Sequence, residues 1–154
     1  MSLERFENGP HSLFASVAAP ITIWDRLGFP DNDSALREAI KNGLSYSILK
    51  RVAAEIHIPE AVVSKALNLQ SERVVRRRKT QRFNAVESDR IHSLLVVFSA
   101  AVRLFENDQQ AACDWLQMPC PGLGMRAPIA SLCTFIEIQK VSNLIQRLEY
   151  GVYT

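Results

Sequence analysis

A dense run of cationic side chains is the feature of this sequence with the clearest chemistry. Six basic residues fall within ten positions, namely Arg73, Arg76, Arg77, Arg78, Lys79 and Arg82. The whole chain has a formal net charge of only +2, so the positive charge is concentrated in this segment. A concentrated cationic segment favours a phosphate backbone as partner, because each Lys or Arg can neutralise a phosphate. The alternative interpretation is a solvated helix face without a partner.

The residues before this run have the spacing of a helix-turn-helix. Ser64 provides a small side chain where the two helices would cross. Asn68, four residues later, is suited to a left-handed turn, since Asn tolerates that conformation best after glycine. Leu69 and Val74 would then fill the core between the two helices. The sequence therefore predicts a DNA-binding motif whose second helix contains the cationic run.

The second helix would begin near Gln70 or Ser71 and would carry the DNA contacts. Side chains early in such a helix can face base edges, and later cations are better placed for phosphates. The candidates for base contacts are Gln70, Ser71, Arg73 and Val75. The candidates for phosphate contacts are Arg76, Arg77, Arg78, Lys79 and Arg82.

The elements that must position these residues are helices. From Ser34 onward, apolar residues recur at helical spacing, and strand signals are almost absent. We expect helices from Ser34, as cap, to Asn42, over 45–56, from Pro59, over 85–106 after an Asn84–Glu87 capping box, from Asp108 to Leu116, from Pro128, and over about 135–149. Residues 118–124 should not be helical, and residues 1–33 read as an arm with a short strand or helix near Ile23. The predicted fold class is all-α.

Composition excludes several classes of protein. With 47% hydrophobic and 22% charged residues, the 154-residue chain should fold around a core. No secretory signal and no membrane-spanning run is expected. The three cysteines, Cys113, Cys120 and Cys133, form no CxxC pair, which favours reduced thiols in a cytoplasmic protein. The His and Cys residues lack ligand spacing, so we predict no metal, no cofactor and no catalytic residues.

Four stretches resemble the Xre/MbcA/ParS-type antitoxins, which partner RES-domain toxins. They are Arg76-Arg77-Arg78 with Arg82-Phe83 and Glu87 to Ile91, Ala112 to Leu116, Leu123 to Pro128, and Val141 to Gly151. The resemblance implies an Xre-like helix-turn-helix followed by a helical toxin-binding domain. It also implies a homodimer that binds operator DNA, represses its own operon and masks the active site of an NAD-consuming RES toxin. The expected domains are an arm at 1–33, a helix-turn-helix at 34–83, and a dimerisation and toxin-binding domain at 84–154.

The C-terminal end carries the candidate toxin contacts. Arginines and aromatics commonly anchor interfaces, and here they surround a glycine hinge. The candidates are Arg126, Arg147, Tyr150, Gly151 and Tyr153. The alternative is that the tail packs on its own domain. At the level of function, the alternatives are a stand-alone dimeric repressor that senses a small ligand through its C-terminal domain, and an enzyme.

Overall fold

A computed structural model of the chain describes residues 21–69 and 81–151, and this part is built from helices. The α-helices are α1 Ile23–Leu27, α2 Asp33–Asn42, α3 Ser47–Glu55, α4 Glu60–Ala66, α5 Ala85–Leu104, α6 Gln109–Gln117 and α7 Phe135–Glu149. Two 3-10 turns, Pro121–Leu123 and Pro128–Ala130, lie between α6 and α7. Strand-like pairing in the described ranges is limited to the bridges Ser45–Arg82 and Cys120–Arg126. The all-α prediction is confirmed.

Local capping signals set most helix starts where the sequence predicts them. Asn84 accepts from the Glu87 N–H at 2.8 Å, and Glu87 accepts from the Asn84 N–H at 3.1 Å, which completes the capping box of α5. Asp108 caps α6 through the Ala111 N–H at 3.0 Å. Each such cap typically stabilises a helix by about 1 kcal/mol, because it satisfies an N–H without an intrahelical partner.

Several predicted bounds were wrong. Helix α3 begins at Ser47 rather than at 45, and α5 ends at Leu104 rather than at about 106. The cap of α2 is Asn32 rather than Ser34, because Asn32 has the extended backbone of a cap and accepts from the Ala35 N–H at 2.7 Å. The stretch 118–124 is not free of helix, since Pro121–Leu123 forms a single 3-10 turn. Proline suits the first position of such a turn, because its fixed φ is helical and its missing N–H is not needed there.

One hydrophobic core runs through the described residues, with α5 at its centre. Several large apolar side chains of α5 are almost fully buried, among them Ile91, Leu94, Leu95 and Phe98. The cluster around them includes side chains from α1, α3 and α4 before the cationic segment and from α6 and α7 after it. The short helix α1 belongs to this core as well, since Ile23 and Leu27 are buried. The residues before and after the cationic segment therefore fold around the same core.

Two thiols connect the C-terminal part to the ends of the earlier helices. The Cys113 S–H donates to the Ile56 carbonyl at 2.7 Å, and the Cys133 S–H donates to the Ala66 carbonyl at 2.9 Å. Both carbonyls lie at a helix C-terminus, where the last turn leaves acceptors without intrahelical donors. The ends of α3 and α4 are thus satisfied by residues far along the chain.

Candidate functional site

The turn after α4 fixes where the chain enters the cationic segment. Asn68 has φ 55°, which confirms the predicted left-handed turn, and Leu69 is buried at 3% exposure. The Ser64 hydroxyl donates to the Leu69 carbonyl at 2.9 Å, and the Leu69 N–H donates to the Ser64 carbonyl at 2.7 Å. Ser64 therefore closes the turn with its hydroxyl, a role that the argument from its small size missed. Val74, the other predicted core residue of the motif, lies outside the described residues.

The exit from the cationic segment is held against the start of α3. The Tyr46 N–H donates to the Gln81 carbonyl at 2.8 Å, and the Phe83 N–H donates to the Leu44 carbonyl at 2.8 Å. Phe83 itself is buried, and its ring centroid lies 5.7 Å from that of Tyr46. Residues 70–80 are therefore bounded by the buried Leu69 on one side and by the hydrogen-bonded backbone of Gln81 and Phe83 on the other.

Most of the predicted DNA contacts belong to that bounded segment. Arg82 is the described one: its side chain is exposed, and its Nη1 donates to the Gly43 carbonyl at 3.0 Å. The other seven lie outside the described residues, namely Gln70, Ser71, Arg73, Arg76, Arg77, Arg78 and Lys79. Arg82 thus lies at the surface, directly beside the segment that carries the remaining cations.

A second candidate surface is a cleft between α7 and the loop before it. The loop is closed by hydrogen bonds from the Cys120 N–H to the Arg126 carbonyl at 3.0 Å and from the Met125 N–H to the Cys120 carbonyl at 2.9 Å. Met125 has φ 64°, so the left-handed turn forms there without a glycine. The open cleft has a volume of about 680 Å³. Its lining consists of Gly122, Leu123, Gly124, Arg126, Ser131, Glu137, Lys140, Asn143 and Arg147.

Close packing of the loop on α7 shapes this cleft. A Cβ placed on Gly122 would come within 2.8 Å of the Leu144 Cδ1, so only glycine fits at that contact without movement of Leu144. Arg126 fastens the loop from the other side. Its guanidinium pairs with the Glu137 carboxylate at 3.0 Å and donates to the Ala130 carbonyl at 2.6 Å.

The Arg126–Glu137 pair also sets the charge of the cleft. Desolvation raises the pKa of Glu137, but hydrogen bonds from Arg126 and Thr134 and the charge of Arg126 together hold it below its ordinary value. Glu137 is therefore ionised at neutral pH and compensates the charge of Arg126. The remaining cations of the lining are Lys140, which is exposed, and Arg147, which is half-buried.

The structure brings two of the predicted toxin contacts together, since Arg126 and Arg147 line the same cleft. Tyr150 follows one turn after Arg147 and is 83% exposed. Gly151 has φ 71° and donates its N–H to the Leu148 carbonyl at 3.2 Å, which ends α7. Tyr153 lies outside the described residues. The cleft is also lined by Lys140 and Asn143, which were not predicted from the sequence. Their helical spacing with Arg147 and Tyr150 was the signal that could have placed them on the same helix face.

Other chemistry finds little support in the described part of the chain. There, no group of three or more His, Cys, Asp or Glu side chains could hold a metal ion. Desolvation by burial raises the pKa of the Cys113 thiol, and Asp114 adds to the rise. Desolvation likewise raises the pKa of the Cys133 thiol, with a further rise from Glu137. Within the same ranges, no helix has the length and apolar character needed to cross a bilayer.

Comparison with known proteins matches both halves of the chain. Residues 35–95 match the Antitoxin Xre-like helix-turn-helix domain, and residues 100–151 match the Antitoxin Xre/MbcA/ParS C-terminal toxin-binding domain. The chain is 35% identical to an Antitoxin Xre of Yersinia enterocolitica over 134 residues, which are 86% of this chain and 90% of that protein. It is 31% identical to an Antitoxin Xre of Photorhabdus laumondii over 84% of this chain and 89% of that protein. A Prs ADP-ribosylating antitoxin of Sphingobium sp. is 27% identical over 74% of this chain and 77% of that protein.

Proposed function

Because the chain belongs to the Xre antitoxin family, we propose that it is the antitoxin of a bacterial toxin–antitoxin pair. In this proposal it binds a RES-type, NAD-consuming toxin, masks the active site of that toxin, and represses its own operon as a cytoplasmic homodimer. The observation that carries the proposal is the order of two modules in one chain, a helix-turn-helix match followed by a toxin-binding match. The chain itself has no catalytic role in this scheme.

DNA binding is assigned to the cationic segment and its flanks. Support comes from the Ser64–Leu69 turn on one side and the Leu44–Phe83 pairing on the other, which fix the entry and exit of residues 70–80. A helix-turn-helix dimer places its two recognition helices in major grooves about 34 Å apart, or a multiple of that distance. The proposed contacts are Gln70, Ser71, Arg73, Arg76, Arg77, Arg78, Lys79 and Arg82.

Toxin neutralisation is assigned to the C-terminal end of α7 and the residues that follow. Tyr150 is 83% exposed, so its ring contributes little to the core and is available to a partner. A buried aromatic anchor commonly contributes about 2 kcal/mol or more to a protein interface. The proposed contacts are Arg126, Arg147, Tyr150, Gly151 and Tyr153.

Truncation after Glu149 tests the separation of the two activities. The full chain, co-expressed with a RES-type toxin from the same genome, should restore growth, and it should retard operator DNA in a gel shift. The truncated chain should lose rescue and keep operator binding, because the residues removed lie beyond the last buried side chain of α7, Ile145. A variant truncated after Gly151 separates the contribution of Tyr150 from that of Tyr153.

The outcomes divide the interpretations. Rescue by the chain truncated after Glu149 would show that the tail is not the inhibitory element. Loss of both activities would mean that Tyr150 and its neighbours stabilise the fold. Failure of the full chain to form a complex with any such toxin, while operator binding persists, would favour the stand-alone dimeric repressor with a ligand-sensing C-terminal domain.

A further inference from the structure

The outer face of α7 carries one continuous stripe of exposed or half-buried residues. Ile136, Lys140, Asn143, Arg147 and Tyr150 follow each other at steps of three or four, so they lie on one side of the helix. The opposite side packs into the core through other residues, which are Val141, Leu144 and Ile145. The stripe is about 21 Å long at the helical rise of about 1.5 Å per residue.

The stripe has apolar ends and a polar, cationic middle. Ile136 is 68% exposed and Tyr150 is 83% exposed, so both ends present apolar surface to the exterior. Between them, Lys140, Asn143 and Arg147 also line the cleft beside α7, and their side chains carry hydrogen-bond donors. With Arg126 and Glu137 included, the charged groups of the cleft have a formal net charge of +2. An occupant with carboxylates in its middle and apolar groups at its ends would complement this surface.

We propose that this stripe and its cleft dock an acidic segment of the toxin, whose carboxylates are held between Lys140 and Arg147. The proposal rests on the proposed function. It adds a contact region on α7, which includes Ile136, Lys140 and Asn143, to the contacts already proposed for the tail. Arg126 holds the wall of the cleft through Glu137, and Lys140 and Arg147 supply the charge that the segment meets.

A second copy of this chain fits the stripe poorly. A two-fold interface brings the same surface of both copies together. Two antiparallel α7 helices paired through Asn143 would place Lys140 of one copy opposite Arg147 of the other, because the two lie three and four residues on either side of Asn143. Like charges in direct contact oppose association. DNA also fits poorly, since its continuous polyanion would meet the Glu137 carboxylate and the apolar ends.

Charge reversal at Lys140 tests the proposal. Lys140 is exposed on α7, and Lys50 is another exposed lysine, on α3, that does not line the cleft. Lys140→Glu and Lys50→Glu therefore change the net charge of the chain by the same amount. Calorimetry with the purified RES-type toxin at about 50 mM and about 300 mM salt should show that Lys140→Glu weakens binding at least about 10-fold at low salt, with a smaller loss at high salt. Lys50→Glu should stay within about 2-fold of the unsubstituted chain, and Lys140→Gln should fall between the two.

Each other outcome overturns the proposal in a distinct way. Equal affinity of Lys140→Glu and Lys50→Glu for the toxin would remove the cleft from the interface and leave the antitoxin assignment intact. A change in self-association caused by Lys140→Glu in sedimentation, in either direction and with toxin binding unchanged, would make a second copy the occupant. Loss of operator binding by Lys140→Glu but not by Lys50→Glu, with toxin binding unchanged, would make DNA the occupant. Absence of any complex with the unsubstituted chain would overturn both the docking surface and the proposed function.

Discussion

Gly43 occupies a backbone position that excludes a side chain for two independent reasons. Its φ of 92° and ψ of 131° lie outside the regions that L-residues adopt readily. A Cβ there would also overlap the carbonyl oxygen of Phe83 and lie 3.3 Å from its carbonyl carbon. Gly28 offers the matched control, because its φ is 76° and no atom lies within 4 Å of a Cβ built on it. Gly28→Ala therefore measures backbone strain alone, and Gly43→Ala measures strain and overlap together.

Gly43→Ala should lower the free energy of unfolding several times more than Gly28→Ala. Gly28→Ala should lower the free energy of unfolding by about 1 kcal/mol, the ordinary penalty for alanine in a left-handed conformation. Gly43→Ala carries backbone strain of about 1–3 kcal/mol and must also move the buried backbone at Phe83. That movement endangers the bonds from the Phe83 N–H to the Leu44 carbonyl at 2.8 Å and from the Leu44 N–H to the Ser88 Oγ at 2.9 Å. At about 1 kcal/mol for each bond, the total is about 3–5 kcal/mol.

Urea unfolding of the two variants gives the comparison directly. Gly43 also contacts the end of the cationic segment, since the Arg82 side chain donates to the Gly43 carbonyl. Gly43→Ala should therefore weaken operator binding even at a temperature where the variant is folded, and Gly28→Ala should not. A difference in unfolding free energy below about 1 kcal/mol between the two variants would refute the overlap argument.

Two further predictions concern charge. If about four phosphates are contacted per subunit, the logarithm of the operator binding constant of the dimer should fall with the logarithm of the salt concentration at a slope of about −7. Arg77→Ala should make this slope shallower by about 2, because each dimer loses about two phosphate contacts. A slope near zero in a gel-shift titration would contradict the cationic-segment argument. Desolvation lowers the pKa of His92 from its ordinary 6.5, and Asp89 opposes that shift in part, so the folded state favours the neutral ring. Stability is then fully present above the unfolded pKa of about 6.5 and is lost as the pH falls through the folded pKa. His92→Phe, which keeps an aromatic ring, should flatten the fall in melting temperature between about pH 7 and pH 5, whereas the exposed control His57→Asn should follow the unsubstituted chain; parallel curves for the two variants would count against His92.

Helices were predictable wherever the signal was local. The start of α5 at its Asn84–Glu87 box and the cap of α6 at Asp108 depend on residues within one turn, so the sequence contains the whole explanation. The end of α2 at Asn42 was predicted correctly, although the residue that most strongly requires glycine at the next position, Gly43, is Phe83, forty residues later.

The site was less predictable because its contacts are between distant residues. Arg126 was singled out as an interface residue, and nothing in its spacing indicated the ion pair with Glu137, eleven positions away. Lys140 was not singled out from the sequence, because a lysine on a helix ordinarily faces solvent. Lys140 lines a cleft only because the loop packs Gly122 against Leu144 of the same helix, a contact that the sequence does not indicate.

The continuity of α5 has a consequence for how this chain can vary in length. The first matched region, 35–95, ends inside helix Ala85–Leu104, and the second, 100–151, begins inside the same helix. The boundary between them is therefore an uninterrupted helix rather than a linker. Inserting or deleting one residue there would turn everything beyond it by about 100° and shift it by about 1.5 Å. The second half would then face its shared core in the wrong phase. Length changes should accordingly be tolerated in the surface turns and excluded between residues 96 and 99, so that helices α1 to α4 keep a fixed angular relation to α6 and α7.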